Sequence, residues 1–78
     1  MASITPFGQT GPYRDYKDCD LVAMSMGGMV YITGDIDRPP VRISADQAYA
    51  QASAHAAAGL MIALHHQTIT GEGQHLDI

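Results

Sequence analysis

Apolar residues come in short clusters separated by glycine and proline, until a long run between Ala45 and Gln67 in which small apolar residues dominate. Ala2-Ser3-Ile4-Thr5 reads as the end of a strand. Pro6 to Tyr13, with two glycines and two prolines, reads as a loop. From Asp18 to about Ser25 the cluster Leu21, Val22, Ala23 and Met24 follows acidic residues suited to a helix N-terminus, and Gly27-Gly28 stops it. Met29-Val30-Tyr31-Ile32-Thr33 fits helix or strand equally on periodicity. Gly34 to Pro40 is turn chemistry, since neither proline donates a backbone bond, and Val41-Arg42-Ile43 then reads as a short extended segment.

Ser44-Ala45-Asp46-Gln47 has the spacing of a capping box and predicts a helix over about 45–67. Nine alanines between Ala45 and His66, with Ser53 and Gly59, leave little side-chain bulk there, so neighbouring backbones can approach closely. At 1.5 Å per residue such a helix is about 34 Å long, suited to the middle of a larger α/β assembly. Thr70-Gly71-Glu72-Gly73 ends it, and Gln74-His75-Leu76-Asp77-Ile78 alternates as a strand does. The order is loop, short helix, loop, short strand, long helix and strand, a stretch of α/β architecture.

Length and composition narrow the function. A chain of 78 residues holds at most one modest core. Its net charge of −4 and lack of a basic run give no footprint for nucleic acid or an anionic membrane. The lone Cys19 cannot form an internal disulfide and no signal-peptide pattern opens the chain, so a reducing, cytoplasmic setting is expected. The stretch Ala48 to Leu64 is too alanine-rich and too interrupted for a membrane span.

Candidate chemistry is sparse. Lys17, the sole lysine, precedes a predicted helix start, a position that suits an anion such as a phosphate; its other reading is a solvated charge paired with Asp15 or Asp18. Cys19 sits between Asp18 and Asp20, whose charges oppose thiolate formation. His55, His65, His66 and His75 lack the spacing of a zinc motif, and no metal site is expected. Gly71 and Gly73 follow a helix and no lysine succeeds them, so they mark a reversal, not a phosphate loop.

Three blocks in order, Gly8-Gln9-Thr10-Gly11-Pro12-Tyr13, Lys17-Asp18-Cys19-Asp20-Leu21 and Thr70-Gly71-Glu72-Gly73-Gln74-His75, resemble the family III (CaiB/BaiF-type) CoA-transferases along essentially the whole chain. Members of that family are several times longer, so the chain is expected to be an internal fragment of a large domain. The resemblance implies a partial Rossmann-like α/β fold, coenzyme A as acyl-CoA substrate, and a carboxylic acid as acceptor. It also implies a homo- or heterodimer of the parent chain, while the charge and the missing membrane span leave neither nucleic acid nor membrane as an expected partner. It assigns Lys17, Asp18, Cys19 and Asp20 to CoA contact. Racemases of the same superfamily carry a His-Asp pair where Cys19-Asp20 stands, which argues against racemisation here.

The resemblance also implies a nucleophilic aspartate in a Gly-Asp pair near the start of the long helix. Counting back from Thr70-Gly71 puts Ala48-Tyr49 at that place, so no catalytic residue is assigned. Asp46, almost one turn earlier, is the nearest carboxylate, and its charge also suits a helix N-terminus. Two readings stay open: part of a CoA-transferase moving CoA from an acyl-CoA donor to a free acid, or a non-catalytic CoA-binding or structural subunit of a heteromeric transferase. A third is a small stand-alone α/β protein whose helix serves oligomerisation. The isolated segment is expected to be inactive.

Overall fold

A computed structural model describes all residues, 1–78. Four elements follow one another: β1 (Ala2–Ser3), α1 (Asp20–Met26), α2 (Gln47–Thr70) and β2 (Leu76–Asp77). Contacts group the chain into two units, one formed by residues 1–16 with 51–78, the other by residues 17–50.

In the first unit β1 and β2 pair in parallel, Ala2 opposite Leu76 and Ser3 opposite Asp77. The ladder runs on past both strands, since Leu76 N–H donates to Met1 O, Ile78 N–H to Ser3 O, and Thr5 N–H to Ile78 O at 2.9–3.0 Å. A parallel pair needs a long crossover, and the rest of the chain lies between its strands. The structure is thus α/β with one long helix and a short parallel sheet. Two strands carry no strand order that would define a Rossmann-like core.

Helix α2 is 24 residues, about 36 Å long. It starts two residues later and ends three residues later than its composition predicts. Past the predicted end, Thr68 and Thr70 are still helical, and their hydroxyls donate back to Leu64 O and His66 O, the bond a helical threonine can make. Gly71, at φ 78°, then turns the chain out with its N–H on Gln67 O. Leu60, Met61, Ile62 and Leu64 spread over more than one side of the helix, and all four are exposed, whereas Ala56 is buried. Apolar and polar residues are not segregated onto two faces of this helix, unlike a helix that lies on the surface of a small core.

Gly59 of α2 faces Leu76, and a methyl group there would sit 3.6 Å from Leu76 Cδ1, an ordinary contact. Gly59→Ala is therefore expected to stabilise the protein by about 0.5–1 kcal/mol through helix propensity alone. A rise in the urea midpoint would bear this out; a fall would mean that Leu76 is held too tightly to accept the methyl.

In the second unit α1 runs for two turns from Cys19, whose backbone is extended at φ −149° and ψ 166°. It stops as Gly27-Gly28 predicts. Gly27 N–H closes on Ala23 O, Gly28 takes φ 81°, and Met29 N–H returns to Met24 O. Asp20 and Met24, one turn apart, are its buried residues. Met29 to Ile32 form turns, neither helix nor strand.

Two expectations for this region fail. Val41-Arg42-Ile43 is no strand, because no second strand lies beside it; Val41 N–H instead meets Thr33 O at 3.1 Å. The capping box at Ser44 does not form either. Ala45 adopts φ 69°, a left-handed conformation that separates Ser44 from the helix and costs about 1–2 kcal/mol. The acceptor for the first turn of α2 comes from Asp20, 28 residues earlier in the chain.

Candidate functional site

The four residues assigned to ligand contact form the extended approach to α1, and extended backbone sends successive side chains to opposite sides. Lys17 and Cys19 are exposed, Asp18 is half-buried and Asp20 is buried, at 5% exposure. The segment therefore turns its two carboxylates inward and its amine and thiol outward.

Asp20 spends its carboxylate on α2. Its Oδ1 accepts the Ala48 N–H at 2.8 Å and, more weakly, the Tyr49 N–H at 3.4 Å. Both amides belong to the first helical turn, which has no intrahelical acceptor, and a carboxylate there also meets the positive end of the helix dipole. Oδ2 is 3.4 Å from Arg42 Nη2, and the same guanidinium nitrogen lies 2.7 Å from Asp46 Oδ1. Arg42 thereby joins the helix start to the loop before it.

Asp18 makes the second fastening. The Tyr49 hydroxyl donates to its Oδ2 at 3.1 Å, while Oδ1 is buried without a donor. The Tyr49 phenol is raised above its ordinary value of 10. Partial desolvation is the first cause, followed by the bond to Asp18 and the negative fields of Asp18, Cys19 and Asp20. It is a protonated donor at neutral pH and no nucleophile.

Lys17 enters none of the ion pairs. Asp15 pairs with Arg14 and Asp18 with the Tyr49 hydroxyl, so the partners expected for a merely solvated lysine are engaged elsewhere. Helix α1 has seven residues and adds little dipole to attract an anion. What the segment offers is one free ammonium and, two residues on, one free thiol. Asp46 is mostly exposed and its carboxylate is paired with Arg42.

The first and third motif blocks meet at His75. Its Nε2 lies 2.9 Å from Ser3 Oγ and 3.5 Å from Gln9 Nε2, and the amino terminus donates to Gln74 O. This junction was not expected from the sequence, although the alternation of 74–78 and the strand ending at Thr5 were its two halves. Elsewhere, an open cleft of about 490 Å³ lies along Tyr31 to Pro40, framed by Ile32, Gly34, Ile36 and Arg38. It contains none of the residues from Lys17 to Asp20. No helix is long and apolar enough to cross a membrane.

Similarity to known proteins is consistent along the chain. The family model of CoA-transferase family III matches residues 1–78. The chain is 44% identical to succinyl-CoA–D-citramalate CoA-transferase of Chloroflexus aurantiacus, over 100% of its own length and 19% of that protein. It is 42% identical to succinyl-CoA:(R)-benzylsuccinate CoA-transferase subunit BbsE of Thauera aromatica, with the same coverage. Among solved structures, a CAIB/BAIF family protein from Brucella suis superposes with a TM-score of 0.83 at 36% identity, covering 96% of this chain and 20% of that one. The chain thus spans about a fifth of the length of the curated relatives it matches. These relatives are named as CoA-transferases, one of them as a subunit, and they lend no support to a purely structural role.

Proposed function

The chain belongs to CoA-transferase family III, and from that membership we propose that it is part of an enzyme that moves CoA from an acyl-CoA donor to a free carboxylic acid. Its contribution is to bind the CoA. The observation that carries this reading is the outward amine of Lys17 on a segment whose two carboxylates are turned inward and bonded. CoA is polyanionic, and an ammonium free of carboxylate partners is the group that would meet one of its phosphates or its pantetheine oxygens.

In the reaction, an enzyme carboxylate attacks the thioester carbonyl, the carbon–sulfur bond breaks and CoA leaves as thiolate. The thiolate then attacks the enzyme-side carbonyl of the mixed anhydride. This releases the donor acid and leaves CoA as an enzyme thioester. The acceptor carboxylate repeats the two steps in reverse and departs as its own CoA thioester.

Tyr49 does not supply the nucleophile, since it stays protonated on Asp18. The working enzyme, in this reading, has a Rossmann-like core and is a dimer of equal or related chains, in line with relatives named as subunits.

Lys17→Ala in the full-length protein tests the site. The expected result is a KM for acyl-CoA raised about tenfold or more, the value of one charge-assisted hydrogen bond, with kcat little changed. An unchanged KM would remove Lys17 from the CoA site, and absence of transfer from a panel of acyl-CoA thioesters to carboxylic acids would sink the assignment as a whole.

A further inference from the structure

Tyr49 stands where the resemblance places a nucleophile, and its hydroxyl is committed to Asp18 at 3.1 Å. We infer that this bond is a clasp: Tyr49 is a positioning residue that holds the Lys17–Asp20 segment in register on the start of α2, so that Lys17 faces the CoA. The inference rests on the CoA-contact role proposed above for that segment.

The geometry supports it in three ways. Asp18 has one carboxylate oxygen buried without a donor, so its hold depends on the other oxygen and on Tyr49. Asp20 is bonded to the backbone amides of Ala48 and Tyr49, so two carboxylates of one extended segment converge on a single helical turn. Two anchors set two residues apart fix both the height and the twist of the strip between and beside them. That fixes which way Lys17 and Cys19 point. The phenol suits this work because it remains a donor across the neutral range, where a carboxylate at the same place would repel Asp18 and Asp20.

Tyr49→Phe keeps the ring and removes the donor, and Asp18→Ala removes the acceptor. In the full-length protein each is expected to raise the KM for acyl-CoA roughly three- to tenfold, the range of one ordinary hydrogen bond, with kcat within about twofold. The double variant should be no worse than the more affected single one, since both break the same bond.

Amide hydrogen exchange gives a readout that does not depend on catalysis. Residues 17–21 should exchange faster in Tyr49→Phe, whether or not CoA binds, while α2 beyond its first turn keeps its protection. Unchanged exchange at 17–21 would overturn the clasp. So would a hundredfold loss of kcat at constant KM, which would place Tyr49 in the chemistry. If the wild-type protein neither binds nor transfers CoA, the proposed function fails, and the exchange data still decide whether the clasp exists.

Discussion

Asp20→Ala is expected to lower the stability of the protein by about 2–3 kcal/mol, more than any exposed substitution in the chain. The carboxylate is 5% exposed and accepts from Ala48 N–H at 2.8 Å. Removing it leaves a first-turn amide without its acceptor and takes a negative charge from the positive end of a 24-residue helix. Arg42 contributes less, because it is nearly half exposed, its contact with Asp20 is 3.4 Å, and Asp46 offers it a closer partner at 2.7 Å.

The variants should therefore separate the two roles. Asp20→Asn keeps an oxygen for the amides and should cost roughly half as much, while Arg42→Ala should cost under about 1 kcal/mol. Chemical denaturation of the full-length protein measures all three. Equal losses for Arg42→Ala and Asp20→Ala would mean that the ion pair, not the cap, is what matters.

Met24→Ala should cost about 2–4 kcal/mol, the usual range for removing a buried methionine side chain. Met24 is 2% exposed and lies one turn after Asp20 on the buried face of α1. The same substitution at Met26, which is exposed, should stay within about 0.5 kcal/mol, and Met24→Leu, near in volume, within about 1.5 kcal/mol. A Met24→Ala variant as stable as Met26→Ala would show that the side chain is not part of a core. Both large effects fall on a two-turn helix because its buried face carries the cap of one neighbour and a core residue together.

Much of the local structure was legible. Gly27-Gly28 ended α1 and Gly71 ended α2 because a stop needs only a residue that tolerates positive φ and an amide that can reach back one turn. Nine alanines over 45–67, with leucine, methionine and glutamine among them, made a long helix, since propensity sums over neighbours without reference to distant residues. The alternation after Gly73 gave β2. The membership in a CoA-transferase family was carried by three motif blocks, each a run of adjacent residues.

The failures share another character. Ser44-Ala45-Asp46-Gln47 has the spacing of a cap, but the acceptor that α2 uses comes from 28 residues away, and no local pattern reports it. Val41-Arg42-Ile43 has the composition of a strand and lacks a second strand to pair with. In Lys17-Asp18-Cys19-Asp20 no residue is strongly apolar, so hydrophobic patterning could not say which parity faces inward.

Spacing, propensity and motif order thus settle which segments are helical, where they stop and what family the chain joins, because each depends on residues within a turn or two of one another. Which carboxylates are buried, and hence which side chains stay exposed, depends on amides and hydroxyls that only folding brings within hydrogen-bond distance. Asp20 became a cap and Asp18 the partner of Tyr49 for that reason, and Lys17 was left as the free charge.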